Sequence, residues 1–319
     1  MQETRDNGWS RRRFVLTGLA TPVALMSGRT SFAAAQELAA DTIPITRAIP
    51  STGERLPVIG LGTNAYGVSD AEEYAARREV LARMPGLGGS VVDTARGYGE
   101  SEVVIGRAVA ELGNRERLFI ASKTPMSGDV TAGSSVVEES FRRLSVEMID
   151  LMQIHNLHGV EVLMPILLQM KAGKHIRYVG MSTSQDAQYP ALLEALERYP
   201  VDFVQVDYSI ANRSAAASVL PYARDKGLGV LVNMPFGGRR DGNLFQKVRG
   251  RALPEWAAEA GIATWAQFFL KYVVSHPAVT CAIPGTTKAS HLEDNQAAGR
   301  GRLPDASMRS RMESFWDAA

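Results

Sequence analysis

The chain has 319 residues, and its 35 Lys and Arg against 34 Asp and Glu give a formal net charge of only +1 at pH 7. Because the charges are nearly balanced, the chain has no strong electrostatic field to attract nucleic acid or an anionic membrane, and neither class of partner is expected. The single cysteine, Cys281, excludes an internal disulfide, so stability must come from a hydrophobic core.

The first 35 residues have the layout of a secretory leader. Paired arginines precede a moderately apolar run, residues 14–26, and small residues follow up to Ala35. Because this run is shorter than the ~20 residues that span a bilayer, no stable membrane anchor is expected. The segment SRRRFVL, residues 10–16, resembles the twin-arginine (Tat) export signal. That resemblance implies recognition by the Tat export machinery, cleavage near Ala35 and a periplasmic location, whereas a disordered basic tail is the alternative interpretation.

The remainder, residues 36–319, alternates short apolar runs with amphipathic segments. A hairpin is predicted at 45–54. Strands are predicted at 58–62, 90–94, 118–122, 149–155, 176–182, 203–208, 229–235 and 279–284. Helices are predicted at 70–84, 101–112, 134–144, 161–174, 188–198, 215–226, 256–275 and 290–298. A strand followed by a helix, repeated eight times, predicts one α/β domain: a (β/α)8 TIM barrel with eight parallel strands and a short N-terminal hairpin.

A doubly wound open sheet is the structural competitor. It would place a glycine-rich phosphate-binding fingerprint directly after the first strand. The corresponding segment, GLGTNA at residues 60–65, lacks the third glycine of that fingerprint. The barrel is therefore the preferred prediction.

Three successive predicted strands end in ionisable side chains. Asp93 ends the second strand, Lys123 the third and His155 the fourth, and Tyr98 follows the second strand by one short loop. Because the carboxyl ends of parallel barrel strands converge on one mouth, we expect these four side chains to share one pocket.

Such a cluster can transfer a proton to a polarised carbonyl group. A free tyrosine loses its proton near pH ~10, and a nearby ammonium such as that of Lys123 favours the phenolate form. Asp93 can hold that ammonium in place, and His155 can hydrogen-bond a substrate oxygen. A carbonyl group beside a proton donor still needs a hydride source, which a nicotinamide cofactor supplies. No nucleophile–base pair is evident, and no metal site is predicted because His155 and His158 lack clustered Cys or carboxylate partners.

Three segments resemble the aldo-keto reductases. They are VVDTARGYGESEVVIG at residues 91–106, FIASKTP around Lys123 and IDLMQIHN around His155. The resemblance extends over nearly all of the part after the leader. It implies that Tyr98 protonates the substrate carbonyl, that Lys123 and Asp93 tune Tyr98, and that His155 orients the substrate, which would be a small carbonyl compound or alcohol.

The same resemblance implies a set of cofactor-binding residues in the later strands and loops. They are Ser182, Gln205, Pro235, Phe236, Gly238, Pro284, Gly285, Thr286, Lys288, His291, Asp294 and Asn295. NADP is the expected cofactor, and NAD stays open because Gly285 and His291 occupy two positions that are basic in many relatives. Asn233 stands where relatives place an aromatic ring against the nicotinamide, which leaves Phe236 or no side chain for that contact.

Two other functions remain open from the residues. A Schiff-base lyase on the same barrel would use a deprotonated Lys123, which Asp93 opposes. A cofactor-binding sensor with little turnover is the other alternative. The pocket rim is expected to come from residues 63–66, 124–129 and 237–253 and from the tail after residue 299, whose shortness indicates an open pocket. A monomer is expected.

Overall fold

The computed structural model describes residues 43–238 and 242–318, all within the unit Ala40–Ala319. The predicted leader, residues 1–35, and the basic pair Arg239 and Arg240 lie outside the described residues. Within those described ranges, no helix combines the length and the apolar character needed to cross a membrane.

The described chain begins with a two-stranded antiparallel hairpin, as predicted. Its strands are β1 (Thr46–Ala48) and β2 (Arg55–Pro57). Ile49 and Leu56 of this hairpin are fully buried in the cluster that also contains Phe119 and Phe203, the first residues of two barrel strands. The hairpin therefore closes the end of the barrel at which the strands begin, and the other end stays open.

Eight parallel strands form the barrel, which confirms the predicted fold class. They are β3 (Leu61–Gly62), β4 (Val91–Asp93), β5 (Phe119–Lys123), β6 (Ile149–His155), β7 (Ile176–Thr183), β8 (Phe203–Asp207), β9 (Gly229–Asn233) and β10 (Cys281–Ala282). Neighbours along the chain are neighbours in the sheet. Parallel bridges join Ile59 to Ala282 and Gly62 to Gly285, so β10 meets β3 and the barrel closes.

The helices follow the strands and cover the outside of the sheet. They are α1 (Ala71–Arg83), α2 (Ser101–Leu112), α3 (Ser134–Leu144), α4 (Val160–Ala172), α5 (Tyr189–Arg198), α6 (Ser214–Ala217), α7 (Val219–Asp225), α8 (Leu244–Lys247), α9 (Trp265–Val274), α10 (Ala289–Ala297) and α11 (Ala306–Asp317). The predicted helix at 215–226 is divided at Ser218, whose backbone leaves the helical region. The predicted helix at 256–275 is divided by Gly261 at φ 61°, because a left-handed residue ends the preceding turn.

The prediction that the tail after residue 299 borders the pocket is wrong. Its helix α11 packs Phe315 against Trp256 and Trp265, and Trp316 against Phe269, with ring centroids 5.7 to 6.2 Å apart. Aromatic side chains bury a large apolar area in such contacts, so the tail is fixed on the outer layer of helices rather than at the mouth. The short tail therefore says nothing about the openness of the pocket.

Alternation along the strands sorts the barrel interior into layers. Phe119, Ala121 and Lys123 of β5 point inward, because successive side chains of a strand face opposite sides. The apolar residues occupy the closed end and the lysine occupies the open end. The ionisable side chains at the open end thus lie above a layer of apolar side chains.

Candidate active site

Lys123 is the centre of the polar cluster at the open end. Its Nζ lies 2.6 Å from Oδ1 of Asp93, donates to the Thr94 carbonyl oxygen at 2.8 Å and lies 3.5 Å from Oη of Tyr98. The side chains of Lys123 and Asp93 are 1% and 3% exposed. The three predicted residues from the second and third strands therefore meet, and His155 lies beside them with its ring centroid 5.8 Å from that of Tyr98.

The buried pair is held in its charged form by mutual attraction. Burial alone would lower the pKa of Lys123, but the Asp93 carboxylate and Tyr98 raise it above its ordinary value. Burial raises the pKa of Asp93, and the ammonium of Lys123 opposes that rise. Lys123 is consequently a fixed cation directed at the Tyr98 oxygen.

Tyr98 is positioned by a short turn between β4 and α2. Its backbone N–H donates to the Ala95 carbonyl at 3.0 Å, and its carbonyl accepts from the Ser101 N–H at 3.2 Å. The hydroxyl of Ser101 donates to the Thr63 carbonyl at 2.9 Å, which ties the start of α2 to the end of β3. The turn is therefore anchored from two sides of the barrel mouth.

A buried ion pair also stabilises the turn that carries Tyr98. Glu102 is fully buried and accepts from Oγ of Ser122 at 2.6 Å and from Nε of Arg143 at 3.2 Å. A second guanidinium nitrogen of Arg143 donates to the Gly99 carbonyl. Glu102 thus links β5, α3 and the Tyr98 turn, a role that sequence reasoning missed because Arg143 lies far along the chain.

His155 is almost fully buried and uncharged. Burial and the Lys123 cation lower its pKa to about 3. Its backbone N–H donates to Oγ1 of Thr124 at 3.3 Å, and its buried ring atom Nδ1 has no hydrogen-bond partner among the described residues. We assign the single ring proton to Nε2, because a proton on Nδ1 would have no acceptor. A neutral His155 with this tautomer can donate one hydrogen bond from its ring, through Nε2.

We expect the His155→Gln substitution to flatten the acid-induced loss of stability. The native imidazole has a pKa of about 3 against an ordinary 6.5, so the unfolded chain binds more protons between these values. In the wild type, the stability that comes from keeping this ring neutral is fully present above pH 6.5 and is lost as the pH falls towards 3. Urea unfolding at several pH values gives the change in the free energy of unfolding with pH. In the variant this change should be smaller, by an amount that corresponds to the uptake of up to about one proton on unfolding. An unchanged pH dependence would contradict the assignment of a neutral ring.

The cluster forms the floor of a cavity of about 1380 Å³ at the barrel mouth. Of the predicted rim, Thr63, Asn64, Met126, Ser127 and residues 237, 238 and 243 line this cavity. Ligand cavities that enclose a single small molecule measure about 300–1,000 Å³, so this one has room for a cofactor together with a substrate.

Five of the predicted cofactor residues line the cavity. They are Ser182, Pro235, Phe236, Gly238 and Gly285. The hydroxyl of Ser182 donates to the Ile154 carbonyl at 3.1 Å, which leaves its oxygen able to accept a bond. Asn233 also lines the cavity, and its Oδ1 is buried without a hydrogen-bond partner among the described residues.

The other predicted cofactor residues are not part of the described cavity wall. Gln205 is buried, and its Oε1 accepts from Nε2 of Gln153 at 2.8 Å. Asp294 accepts from Oγ1 of Thr264 and from Nε2 of Gln267 at 2.8 to 3.0 Å, so its carboxylate is engaged inside the protein. Of the rest, Pro284, Thr286 and Lys288 lie in the loop from β10 to α10, and His291 and Asn295 lie within α10. Their cofactor roles stay predictions.

Sequence reasoning missed the wall supplied by the ends of β6, β7 and β8. Asn156, Ser184, Gln185, Asp186 and Asn212 all line the cavity. Asn156 and Ser184 directly follow strand ends, so the rule that located Asp93 and His155 could have found them. Gln185, Asp186 and Asn212 stand on loops whose course only the folded chain reveals.

A comparison with protein-family models decides the family. Residues 58–316 match the model described as the aldo/keto reductase family. This chain belongs to that family. It is accordingly an oxidoreductase that uses a nicotinamide cofactor and acts on carbonyl groups.

Individual aldo/keto reductases resemble the chain at moderate identity. The aldo-keto reductase yakc [NADP(+)] of Schizosaccharomyces pombe is 26% identical and aligns with 82% of this chain and 89% of its own length. The methylglyoxal reductase YeaE of Escherichia coli is 28% identical, over 79% of this chain and 89% of its own. A solved structure of an aldo/keto reductase from Klebsiella pneumoniae, in complex with NADP and acetate, superposes with a TM-score of 0.71 at 26% identity, over 86% of this chain and 96% of that one.

Proposed function

We propose that this aldo/keto reductase interconverts a carbonyl compound and its alcohol with NADP(H), and that Tyr98 is the general acid and base. The observation that carries the proposal is the geometry of Lys123, whose ammonium lies 3.5 Å from the Tyr98 oxygen and 2.6 Å from a buried carboxylate oxygen of Asp93. The name of the fission-yeast relative and the bound NADP of the Klebsiella structure support NADP over NAD.

The cavity wall fits a nicotinamide nucleotide. Ser182 lines this wall and its hydroxyl oxygen can accept a hydrogen bond, which suits an N–H group of a carboxamide. The backbone at Gly238 and Gly285 carries no side chain that would keep phosphate oxygens away from the main-chain N–H groups. When bound, the reduced nicotinamide supplies a hydride to the carbonyl carbon.

The protein side chains provide the proton and its stabilisation. As the carbonyl carbon gains the hydride, the electron pair of the C=O double bond moves to the oxygen, which takes the proton from Oη of Tyr98. The nearby Lys123 cation stabilises the negative charge that stays on the Tyr98 oxygen. His155 donates from Nε2 to the substrate oxygen and orients it, and the reverse sequence oxidises the alcohol.

The Schiff-base lyase is not favoured by this geometry. A lysine that attacks a carbonyl must first lose its proton, whereas Asp93 raises the pKa of Lys123 and three oxygens surround its ammonium. No contact in the described residues favours a sensor that lacks turnover.

The test is a nucleotide titration followed by turnover. NADPH should bind the purified protein with quenching of its tryptophan fluorescence, and NADPH absorbance should fall when aldehydes or ketones are added. Parallel titration with NADH measures the preference between the two cofactors. A folded protein that binds neither nucleotide would overturn the proposed function.

We also propose that residues 1–35 are a Tat leader cleaved near Ala35, and that residues 36–319 are exported as a folded enzyme. The arrangement of arginines at residues 11–13 before Phe14 supports this. In a bacterium with the pathway, the full chain should accumulate in the periplasm in a shortened form, and an Arg11→Lys, Arg12→Lys double variant should stay in the cytoplasm at full length. Equal export of both forms would contradict the proposal.

A further inference from the structure

Two glutamine side chains meet inside the barrel. Gln153 of β6 and Gln205 of β8 are 0% and 1% exposed, and Nε2 of Gln153 donates to Oε1 of Gln205 at 2.8 Å. Strand β7 lies between them and pairs Gly180 with Gln153. A Cβ atom at Gly180 would lie only 3.1 Å from Cγ of Gln153. The glycine therefore leaves the space through which Gln153 reaches across β7 to Gln205.

Asp93 determines which way these two amides point. Burial raises the pKa of Asp93, whereas Lys123 and the side chain of Gln205 lower it by favouring the charged carboxylate. Lys123 contacts Oδ1 of Asp93, and Oδ2 is buried with no partner at hydrogen-bond distance among the described residues. A carboxylate only accepts hydrogen bonds, so it favours the Nε2 end of Gln205 on its own side. The Oε1 end of Gln205 then faces Gln153, which has to be the donor.

We infer that Gln153 is a positioning residue of the active site: its hydrogen bond to Gln205 holds the Nε2 donor of Gln205 towards the Asp93 carboxylate. The inference rests on the proposed function, in which the Lys123 ammonium has to stay beside the Tyr98 oxygen. A donor directed at Asp93 keeps the carboxylate ionised, and the ionised carboxylate keeps the ammonium in place. Gln153 does not line the described cavity, so it acts through Gln205.

Stability by itself does not account for this pair of amides. Oε1 of Gln153 is buried without a hydrogen-bond partner among the described residues, a cost that an apolar side chain would not have. Apolar side chains fill the neighbouring interior positions Ala121 and Leu231. A hydrogen bond to a charged acceptor is stronger than one between neutral groups, and a surrounding of low polarity strengthens it further. Directing a donor at Asp93 is the gain that offsets the buried amides.

Other titratable groups also face Asp93 from the surrounding elements. They are Lys123 of β5, Tyr98 after β4, His155 of β6, Asp207 of β8 and Cys281 of β10. Burial raises the pKa of the Cys281 thiol, and burial beside Lys123 lowers the pKa of His155 to about 3, so neither is charged at neutral pH. Gln153 and Gln205 do not titrate. A substitution of Gln153 therefore changes the pH response of the site only by shifting the pKa of a neighbour, and Asp93 is the one that Gln205 contacts.

Gln153→Met tests the inference, because methionine has a similar volume and no donor. The first readout is the pH dependence of kcat for a ketone at saturating NADPH. Without the directed donor the pKa of Asp93 rises, so the carboxylate takes up a proton and releases the ammonium at a higher pH. The midpoint of the decline in kcat on the acid side should therefore move up by about one pH unit. Gln205→Met should move it in the same direction, and adding Gln153→Met to that variant should move it no further.

The second readout needs no turnover: it is the free energy of unfolding in urea at several pH values. In Gln153→Met the native state binds the Asp93 proton more tightly, so the variant gains stability relative to wild type as the pH falls through that raised pKa. The difference between the two proteins should be largest near neutral pH and become smaller in acid. Gln153→Glu should show the same trend, because an ionised Glu accepts from Nε2 of Gln205 and withdraws it from Asp93.

Gln296→Met is the matched control. Gln296 is also a buried glutamine, and its Nε2 donates to the Ile59 carbonyl at 3.2 Å. Its acid midpoint should stay within about 0.3 pH unit of wild type, because it has no contact with Asp93. The inference is overturned by an unchanged midpoint in both Gln153 variants, by a stability difference that does not vary with pH, or by an equal shift in Gln296→Met. A wild type without turnover would overturn the proposed function, and the unfolding measurement would still decide the link from Gln153 to Asp93.

Discussion

Replacing Tyr98 by Phe is expected to lower kcat by about 10²–10⁴-fold, the usual contribution of a positioned proton donor. The substitution keeps the ring, so its edge contact with His155 at a centroid distance of 5.8 Å survives. It removes only the oxygen that lies 3.5 Å from the Lys123 ammonium. The loss should therefore appear in turnover, whereas folding and nucleotide binding should persist.

Steady-state kinetics and an NADPH titration measure these two effects separately. Tyr66→Phe is the matched control: Tyr66 is fully buried, and its hydroxyl has no hydrogen-bond partner among the described residues. Removing an unsatisfied buried hydroxyl should leave stability unchanged or higher and turnover near wild type. If Tyr98→Phe retained more than about a tenth of the wild-type kcat, another group would have to donate the proton.

Lys123→Met is expected to lower the free energy of unfolding by about 3–5 kcal/mol, because it leaves the buried Asp93 carboxylate without its cation. The double variant Asp93→Asn, Lys123→Met should recover much of this loss, since it removes both charges. Both variants should lack activity. Urea unfolding followed by fluorescence measures the differences.

The loss of unfolding free energy in Lys123→Met should also depend on pH. Burial already raises the pKa of Asp93, and loss of the ammonium raises it further. A raised folded-state pKa means that the native state binds the proton more tightly than the unfolded chain, so stability is gained as the pH falls through that value. The loss of unfolding free energy should consequently be largest near neutral pH and become smaller in acid.

Lys226→Met provides the control for losing a lysine. Lys226 pairs with Glu197 at 3.1 Å, but both side chains are about half exposed. Exposed pairs contribute about 0–1 kcal/mol, so the stability of this variant should stay near that of the wild type. If Lys123→Met were no more destabilised than Lys226→Met, the Asp93–Lys123 pair would not be a buried ion pair.

The barrel and the meeting of ionisable side chains at its mouth could be predicted because their signals are local. Each strand is a short apolar run, and Asp93, Lys123 and His155 stand where such runs end. The parallel arrangement then brings neighbouring strand ends to one mouth, whatever the outer helices do. The same reasoning could not place α11, because its contacts with Trp256 and Trp265 depend on packing between distant segments.

The cofactor residues were less predictable for a physical reason. Their assignment depends on how the loops after β9 and β10 approach the mouth, and loop paths follow from tertiary contacts rather than from periodicity. Asp294 illustrates this, since its carboxylate is bonded to Thr264 and Gln267 instead of facing the cavity. Five of the twelve expected residues line the cavity.

By itself, the sequence determined the order of strands and helices, the inward alternation of the strand side chains and the placement of Asp93, Lys123 and His155 at the barrel mouth. Only the tertiary structure decided their chemical states. Burial beside Lys123 keeps His155 neutral, and the Ser184 N–H fixes the orientation of the Asn156 amide by donating to its Oδ1. Desolvation and directional hydrogen bonds arise from groups that are distant along the chain, so no local pattern encodes them.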